Sequence, residues 1–335
     1  MKKIKIGVLC PSEIAFRRFM PALKSLESFE YVGLAAATER EFFGEGSDNL
    51  CAPELEKAQG FLNEYGGKIF CGYENLISSD EIDAVYVPLP PALHFKWAKA
   101  ALQHNKHVLL EKPFTASLND TKELIALAGA KNLALHENYM FVYHTQLEWI
   151  KNKISEGAVG AVRLIRIDFG FPFRGADDFR YSKALSGGAL LDCGGYTLKL
   201  ASYFLGSSAK ITASQLNYKE GFDVDIYGSA TLTNDDGMTA QVAFGMDNSY
   251  KCSLEVWGST GTIYTNRILT APAGLEPTVV VRQGSDEQHV TLPADDTFLK
   301  SIEYFGRCIH DNLLRTAHYD EILSQSGLVE QMNRR

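Results

Sequence analysis

The sequence predicts an α/β protein. An amino-terminal doubly wound parallel sheet of the dinucleotide-binding (Rossmann) type is followed by an α+β region with a large, mostly antiparallel open sheet. Three observations predict it. Strand, loop and helix patterns recur about every 30 residues through the first half, as right-handed βαβ crossovers require. From Val162 onward, extended segments follow one another with turns between them. The length of 335 residues also exceeds one typical core and suggests about two domains at roughly 100 to 200 residues each. The expected division is 1–139 for the dinucleotide-binding domain and 140–335 for a domain of substrate binding and oligomerisation.

Taken in order, Ile4 to Leu9 reads as the first strand, and Cys10-Pro-Ser-Glu-Ile-Ala15 leads into a helical pattern through Leu23. Such a turn brings backbone N–H groups and a helix start against a pyrophosphate, which makes Gly7, Cys10, Ser12, Glu13 and Ile14 candidate cofactor residues. The glycine spacing is degraded, since Cys10 and Ser12 stand where glycine or another small residue is expected. Phe29 to Ala37 is the second strand. Thr38 and Arg40 at its end tilt the ribose site towards NADP, and Glu39 keeps NAD open. A polar helix over Ala52 to Tyr65 and a short strand near Ile69 come next. Asp83–Val87 is a strand that breaks at Pro88-Leu-Pro-Pro91, and a helix runs from Ala92 to Leu102. His107-Val-Leu-Leu-Glu111-Lys112-Pro113 reads as a buried strand whose carboxyl end delivers an acid and a base to the crevice where open α/β sheets bind ligands. A helix capped by Asn119 or Asp120 and a last strand at Asn132–His136 complete the first half.

In the second half, extended segments are expected near 162–169, 210–218, 223–233, 237–245, 250–257 and 261–266, punctuated by turns such as Asn234-Asp-Asp-Gly237. Asp192 to Leu205 is helical in pattern, and Asp192, Tyr196 and Lys199 share one face of it.

Composition bounds the function. Forty-one acidic against 33 basic residues leave a net charge of −8, a field that disfavours nucleic acid. No apolar run approaches the roughly 18 to 20 residues of a membrane helix, and the amino terminus enters a strand without the apolar stretch of a signal peptide. The six cysteines form no Cys-x-x-Cys pair and the eight histidines no His-Glu-x-x-His pattern, so no metal site and no disulfide framework are expected. A reducing cytoplasm fits this usage.

Several stretches stand in the order of one family's landmarks: Leu89-Pro90-Pro-Ala-Leu-His94, Val108-Leu-Leu-Glu111-Lys112-Pro113, Glu137-Asn-Tyr-Met-Phe141 through His144, Ser186-Gly-Gly-Ala-Leu-Leu-Asp192-Cys-Gly194-Gly-Tyr196, and Leu254-Glu-Val-Trp257-Gly258-Ser-Thr-Gly261. Through them the chain resembles the Gfo/Idh/MocA oxidoreductases over nearly its whole length. It departs from the family at Cys10 and Ser12 and at Pro91, where asparagine is usual. It departs again at Val142, where arginine is often found, and at Tyr196 and Lys199, where inositol-dehydrogenase-like members carry histidine and aspartate. The tyrosine variant is similar to glucose–fructose oxidoreductase, dihydrodiol dehydrogenase and ketoreductases of nucleotide-linked deoxysugars.

The resemblance implies hydride transfer between a nicotinamide cofactor, NADP in preference to NAD, and a sugar or sugar-nucleotide carbonyl. Tyr196 is then the expected general acid/base, and Lys112, 84 positions earlier (196 − 112 = 84), binds the carbonyl oxygen and tunes the phenol. Glu111 is expected on the nicotinamide ribose, with Leu89, Pro90 and His94 in the cofactor set. Asp192 either orients substrate or caps its helix. His144, Arg180 and Lys199 are further substrate-side candidates, with Arg174 and Arg180 meeting a sugar hydroxyl, a phosphate or water. A cis Lys112–Pro113 bond and a homodimer or homotetramer formed on the exposed sheet face are also implied. Two other readings stay open: a dehydrogenase of a free sugar, polyol or diol, and a non-catalytic cofactor-binding regulator.

Overall fold

The computed structural model describes residues 2–333. They form two compact units. One comprises the chain up to Asn138 together with Phe298–Leu323; the other comprises Tyr139–Thr297 and the chain from Ser324 onward.

The first unit alternates strand and helix: β1 (Ile4–Leu9), a π turn over Ala15–Phe19 running into α1 (Met20–Lys24), β2 (Phe29–Ala36), α2 (Glu39–Phe43), α3 (Ala52–Tyr65), β3 (Lys68–Cys71), α4 (Tyr73–Ile77), β4 (Ala84–Val87), α5 (Pro91–Gln103), β5 (His107–Leu110), α6 (Leu118–Lys131) and β6 (Leu135–Glu137). Every strand pair is parallel, in the order β3-β2-β1-β4-β5-β6. The order reverses between β1 and β4, and there the carboxyl ends of the strands open the ligand crevice of this architecture. Ala84–Val87 and Val108–Leu110 are buried throughout, which is why they read as unbroken apolar runs.

Two local expectations are corrected. The cap of α6 is Ser117, whose hydroxyl accepts from the Asp120 N–H at 3.1 Å, rather than Asn119 or Asp120. The last strand occupies Leu135–Glu137 rather than Asn132–His136, because Asn132 turns left-handed at φ 56° and closes α6.

The second unit contains α7 (Thr145–Ser155), β7 (Val162–Gly170), a π turn at Leu190–Gly194 leading into α8 (Gly195–Leu205), then β8 (Lys210–Tyr218), β9 (Asp225–Thr233), β10 (Thr239–Gly245), β11 (Lys251–Gly258), β12 (Gly261–Asn266), β13 (Thr278–Gln283) and β14 (Asp286–Thr291). Its eight strands run in the order β14-β13-β12-β11-β7-β10-β9-β8, antiparallel except for the β7–β10 pair. One face is buried under α8 around Ile165, Ile167, Val242, Leu254 and Val256. By register the other face carries Tyr227, Trp257 and Tyr264 together, each more than two-fifths exposed.

Two helices follow, α9 (Thr297–His310) and α10 (Asn312–Asn333). The expected boundary at 139/140 put all of this segment in the second domain; the contacts group Phe298–Leu323 with the first unit. The reason is apolar packing. Tyr319 and Ile322 join the cluster around Leu110, Leu124 and Leu135, and Phe305 stacks near Phe29 with ring centroids 6.4 Å apart.

Candidate active site

The turn after β1 takes a glycine-like backbone without a glycine. Cys10 adopts φ 128°, a conformation that side chains rarely take, and its thiol faces the Glu54 carboxylate at 3.7 Å. Burial, and then the charge of Glu54, push that thiol well above the usual range. Glu54 is itself buried. It accepts from the Ala37 N–H at 2.6 Å and from the Tyr73 hydroxyl at 2.9 Å, so one carboxylate joins the ends of β1 and β2 to α4. The Ser12 hydroxyl accepts from the Ala15 N–H at 3.2 Å and starts the helical turn; Glu13 and Ile14 beside it are exposed. Gly7 has a packing role, since a Cβ there would lie 2.7 Å from Leu76. A backbone in glycine-like geometry, followed by a helix start, fits a dinucleotide pyrophosphate.

At the end of β2, Thr38 closes a capping box with Glu41 around the start of α2. Arg40 is exposed and pairs with Asp48 at 3.3 Å, while Glu39 accepts from the Ser47 hydroxyl at 2.6 Å. These contacts occupy the Thr38 hydroxyl and leave the Arg40 guanidinium in solvent.

The carboxyl ends of β4 and β5 are joined by His94. Its Nδ1 lies 2.8 Å from the Pro113 carbonyl and its Nε2 2.7 Å from the Leu89 carbonyl, fully buried. Burial lowers its pKa. Glu111 accepts at Oε1 from the Tyr86 hydroxyl (2.7 Å) and from the Asn138 amide (2.6 Å). Burial raises its pKa, and these hydrogen bonds act in the opposite direction. Lys112 is partly buried, its N–H points to Glu111 Oε2 at 3.3 Å, and the Lys112–Pro113 peptide is cis.

In the second unit Tyr196 stands one residue into α8 and is 8% exposed. Its ring is walled by Tyr139, Phe141 and Phe169, with centroids 5.2, 5.7 and 5.3 Å away. The two glycines before it are required by close approach. A Cβ on Gly194 would touch the Phe244 ring at 3.0 Å, and one on Gly195 would overlap the Tyr139 hydroxyl. Asp192 does not cap the helix. That task falls to Asp225 of β9, whose carboxylate accepts from the Leu190 N–H at 2.7 Å. Asp192 instead receives the Arg180 Nε–H at 2.9 Å, and Arg180 is held from its other side by Asp178 at 3.1 Å. Burial works against the Arg180 charge, but Asp192 and Asp178 more than offset it. His144 is buried, its Nδ1 accepting from the Gln146 N–H at 3.2 Å with Asp295 at 3.9 Å. Lys199 is partly buried on α8.

The first unit thus gathers the expected cofactor residues around the ends of β1, β4 and β5, and the second gathers Asp192, Arg180 and Tyr196 around the start of α8. Sequence reasoning gave no role to Glu54, Asn138 and Asp225; Asn138 stands inside a landmark stretch, and all three become informative only through burial. Among the described residues, no group of three His, Cys, Asp or Glu side chains is placed to hold a metal ion, and no helix is long and apolar enough to cross a membrane.

Two family models match in succession: the oxidoreductase family's NAD-binding Rossmann fold over residues 31–139 and the GFO/IDH/MocA C-terminal domain over 147–264. A dTDP-3,4-didehydro-2,6-dideoxy-alpha-D-glucose 3-reductase from Actinomadura kijaniata is 35% identical over 98% of this chain and 94% of its own length. The D-xylose 1-dehydrogenase (NADP(+)) 2 of Haloferax volcanii is 30% identical over 90% of this chain and 88% of its own. Among solved structures, KijD10, a 3-ketoreductase from Actinomadura kijaniata in complex with NADP and TDP-benzene, superimposes with a TM-score of 0.91 at 34% identity, covering 99% of this chain and 98% of that one. The chain therefore belongs to the GFO/IDH/MocA oxidoreductase family, with an NAD-binding Rossmann domain ahead of the family's C-terminal domain.

Proposed function

We propose that the protein is an NADP-dependent oxidoreductase that reduces a ketone on a nucleotide-linked sugar, with Lys112 and Tyr196 as its catalytic pair. The observation that carries this reading is the pair itself. Lys112 follows β5 at the cis Lys112–Pro113 peptide, and Tyr196 stands at the start of α8 walled by aromatic rings. Solved variants of the KijD10 ketoreductase carry replacements of one lysine and one tyrosine, which stand the same distance apart in sequence as these two. When bound, the nicotinamide supplies a hydride to the carbonyl carbon.

The chain's own residues do the rest. The phenol of Tyr196 gives its proton to the oxygen on which negative charge develops, and the Lys112 ammonium steadies that charge. Gly7 near the end of β1 and the turn after it (Cys10, Ser12, Glu13, Ile14) take the pyrophosphate on their backbone, and Thr38 and Arg40 border the adenosine ribose. Glu111 accepts from the nicotinamide ribose. Leu89 and Pro90 line the crevice, while His94 acts through the two loops it ties. Asp192 and Arg180, as an ion pair, orient the sugar together with Lys199 and His144.

The chain is tested on TDP-linked 3-ketosugars with NADPH by following loss of nicotinamide absorbance. Lys112→Met and Tyr196→Phe are each expected to lower kcat by at least about a hundredfold while the protein stays folded. Unchanged turnover in either variant would refute the pairing. Activity confined to free aldoses would favour the second reading, a sugar dehydrogenase, which the xylose dehydrogenase relative supports. The proposal includes a homodimer or homotetramer formed through the sheet face that carries Tyr227, Trp257 and Tyr264. Light scattering of Trp257→Glu, expected to show monomer, tests it. It also includes residence in the cytoplasm, in keeping with six scattered cysteines that form no Cys-x-x-Cys pair.

A further inference from the structure

Beneath the crevice of the first unit runs a polar chain that the reaction described above does not use. Asn138 directly follows β6, and its Nδ2 donates to Glu111 Oε1. Its Oδ1 accepts from the Ser301 hydroxyl of α9 at 2.8 Å, and the same hydroxyl oxygen lies 2.9 Å from His136 Nε2. Behind His136 its ring stacks on that of His318 in α10, with centroids 4.6 Å apart and planes 21° from parallel. His318 Nδ1 in turn lies 3.2 Å from the carboxylate of Glu321, which is more than half exposed. Asn138, Ser301, His136 and His318 are all at most 2% exposed.

The chain has one direction. Glu111 Oε1 already accepts from Tyr86, and it fixes the Asn138 amide with its nitrogen towards the carboxylate. The Asn138 oxygen must then receive the Ser301 proton, so the Ser301 oxygen receives the N–H of His136 Nε2. From His136 inward, each donor points towards Glu111. Burying such polar side chains costs more than an apolar core would, so the oriented run from His136 to Glu111 is a device for geometry more than for stability.

We propose that Ser301 and His136 are positioning residues that orient Asn138 against Glu111, and through Glu111 fix the edge that carries Lys112. The inference rests on the reading of Lys112 as catalytic. It makes α9, which is reached in sequence only after the eight strands of the second unit, a working part of the dinucleotide domain.

The test is the pair Ser301→Ala and Ser301→Thr, assayed with NADPH and a TDP-linked 3-ketosugar. Ser301→Ala is expected to lower kcat about tenfold, because a small misplacement near reacting groups is expensive, with KM for the sugar and Kd for NADPH within about twofold. Ser301→Thr keeps the hydroxyl and is expected to retain at least about half of the wild-type kcat. A wild-type kcat in Ser301→Ala would overturn the proposal. Equal losses in both variants would do so too, because they would mean that volume matters and the hydrogen bond does not. If the wild type fails to turn over the sugar, the substrate reading fails. The emission of bound NADPH then decides the positioning claim: changed in Ser301→Ala and preserved in Ser301→Thr if it holds, unchanged in both if it does not. Should Ser301→Ala not fold, His136→Leu against His136→Gln, which keeps a donor at the place of Nε2, is read by the same criteria.

Discussion

Acid should weaken the first unit through one histidine. His107 opens β5, its Nδ1 accepting from the Ala134 N–H at 2.8 Å. Burial, with the charge of Arg315 next in weight, lowers its pKa from 6.5 to about 4. The unfolded ring takes up its proton near 6.5 and the folded ring only near 4. The stabilisation from keeping His107 neutral is therefore complete above pH 6.5 and is lost as the pH falls from 6.5 to about 4. At about 1.4 kcal/mol for each pH unit, the full span is worth about 3 kcal/mol, an upper figure because the ring is not wholly buried. His107→Asn removes the titration and sets an amide oxygen where Nδ1 stood, so the hydrogen bond to Ala134 survives. Melting temperatures of both proteins are measured from pH 7.5 to 4.5. The variant is expected to gain on the wild type by about 5 to 10 °C across that range, at about 2 to 4 °C per kcal/mol for a domain of this size. Parallel curves would refute the argument.

Asp225 titrates in the opposite sense. Burial raises its pKa from 3.8 to about 6, so its cost is absent below 3.8 and grows as the pH rises through about 6. Asp225→Asn, which still accepts from Leu190, is expected to be more stable than the wild type at pH 8 by up to about 3 kcal/mol and to lose that advantage by pH 4, as read by urea midpoints. At Gly188, φ is 117° and a Cβ would stand 2.4 Å from Asp225 Oδ1. Gly188→Ala is expected to cost about 1 to 3 kcal/mol, whereas Gly274→Ala, with open space around it, costs less than about 0.5 kcal/mol. Arg180→Gln removes the ion pairs to Asp192 and Asp178 and is expected to raise KM for the sugar about tenfold with Kd for NADPH unchanged, by steady-state kinetics and fluorescence titration.

The parallel sheet was legible because βαβ spacing and unbroken apolar runs such as Val108–Leu110 leave little choice of architecture. The strands β8 to β12 were legible from alternation and from turns such as Asn234–Gly237. The hairpin of β13 and β14 was passed over although Val279-Val-Val281 signals it, because β14 is almost wholly exposed and polar. Glu111 and Lys112 stood out as an abrupt polar end to a strand. Asn138 and Ser301 did not, since nothing local in the sequence reveals that residues 163 positions apart share a hydrogen bond. The helical nature of Asp192 to Leu205 was plain, but its true cap, Asp225, comes from a strand 35 residues away from the N–H it receives.

The last helix constrains the timing of synthesis. Tyr319 and Ile322 complete the core around Leu110 and Leu135, while Leu328, Val329 and Met332 complete the core beneath the eight-stranded sheet. One continuous stretch of α10 therefore supplies the closing apolar surface of both units. Until residues 319–332 have been made, neither core has all its members, and both stay open together. A stop before Tyr319 would therefore damage both halves at once.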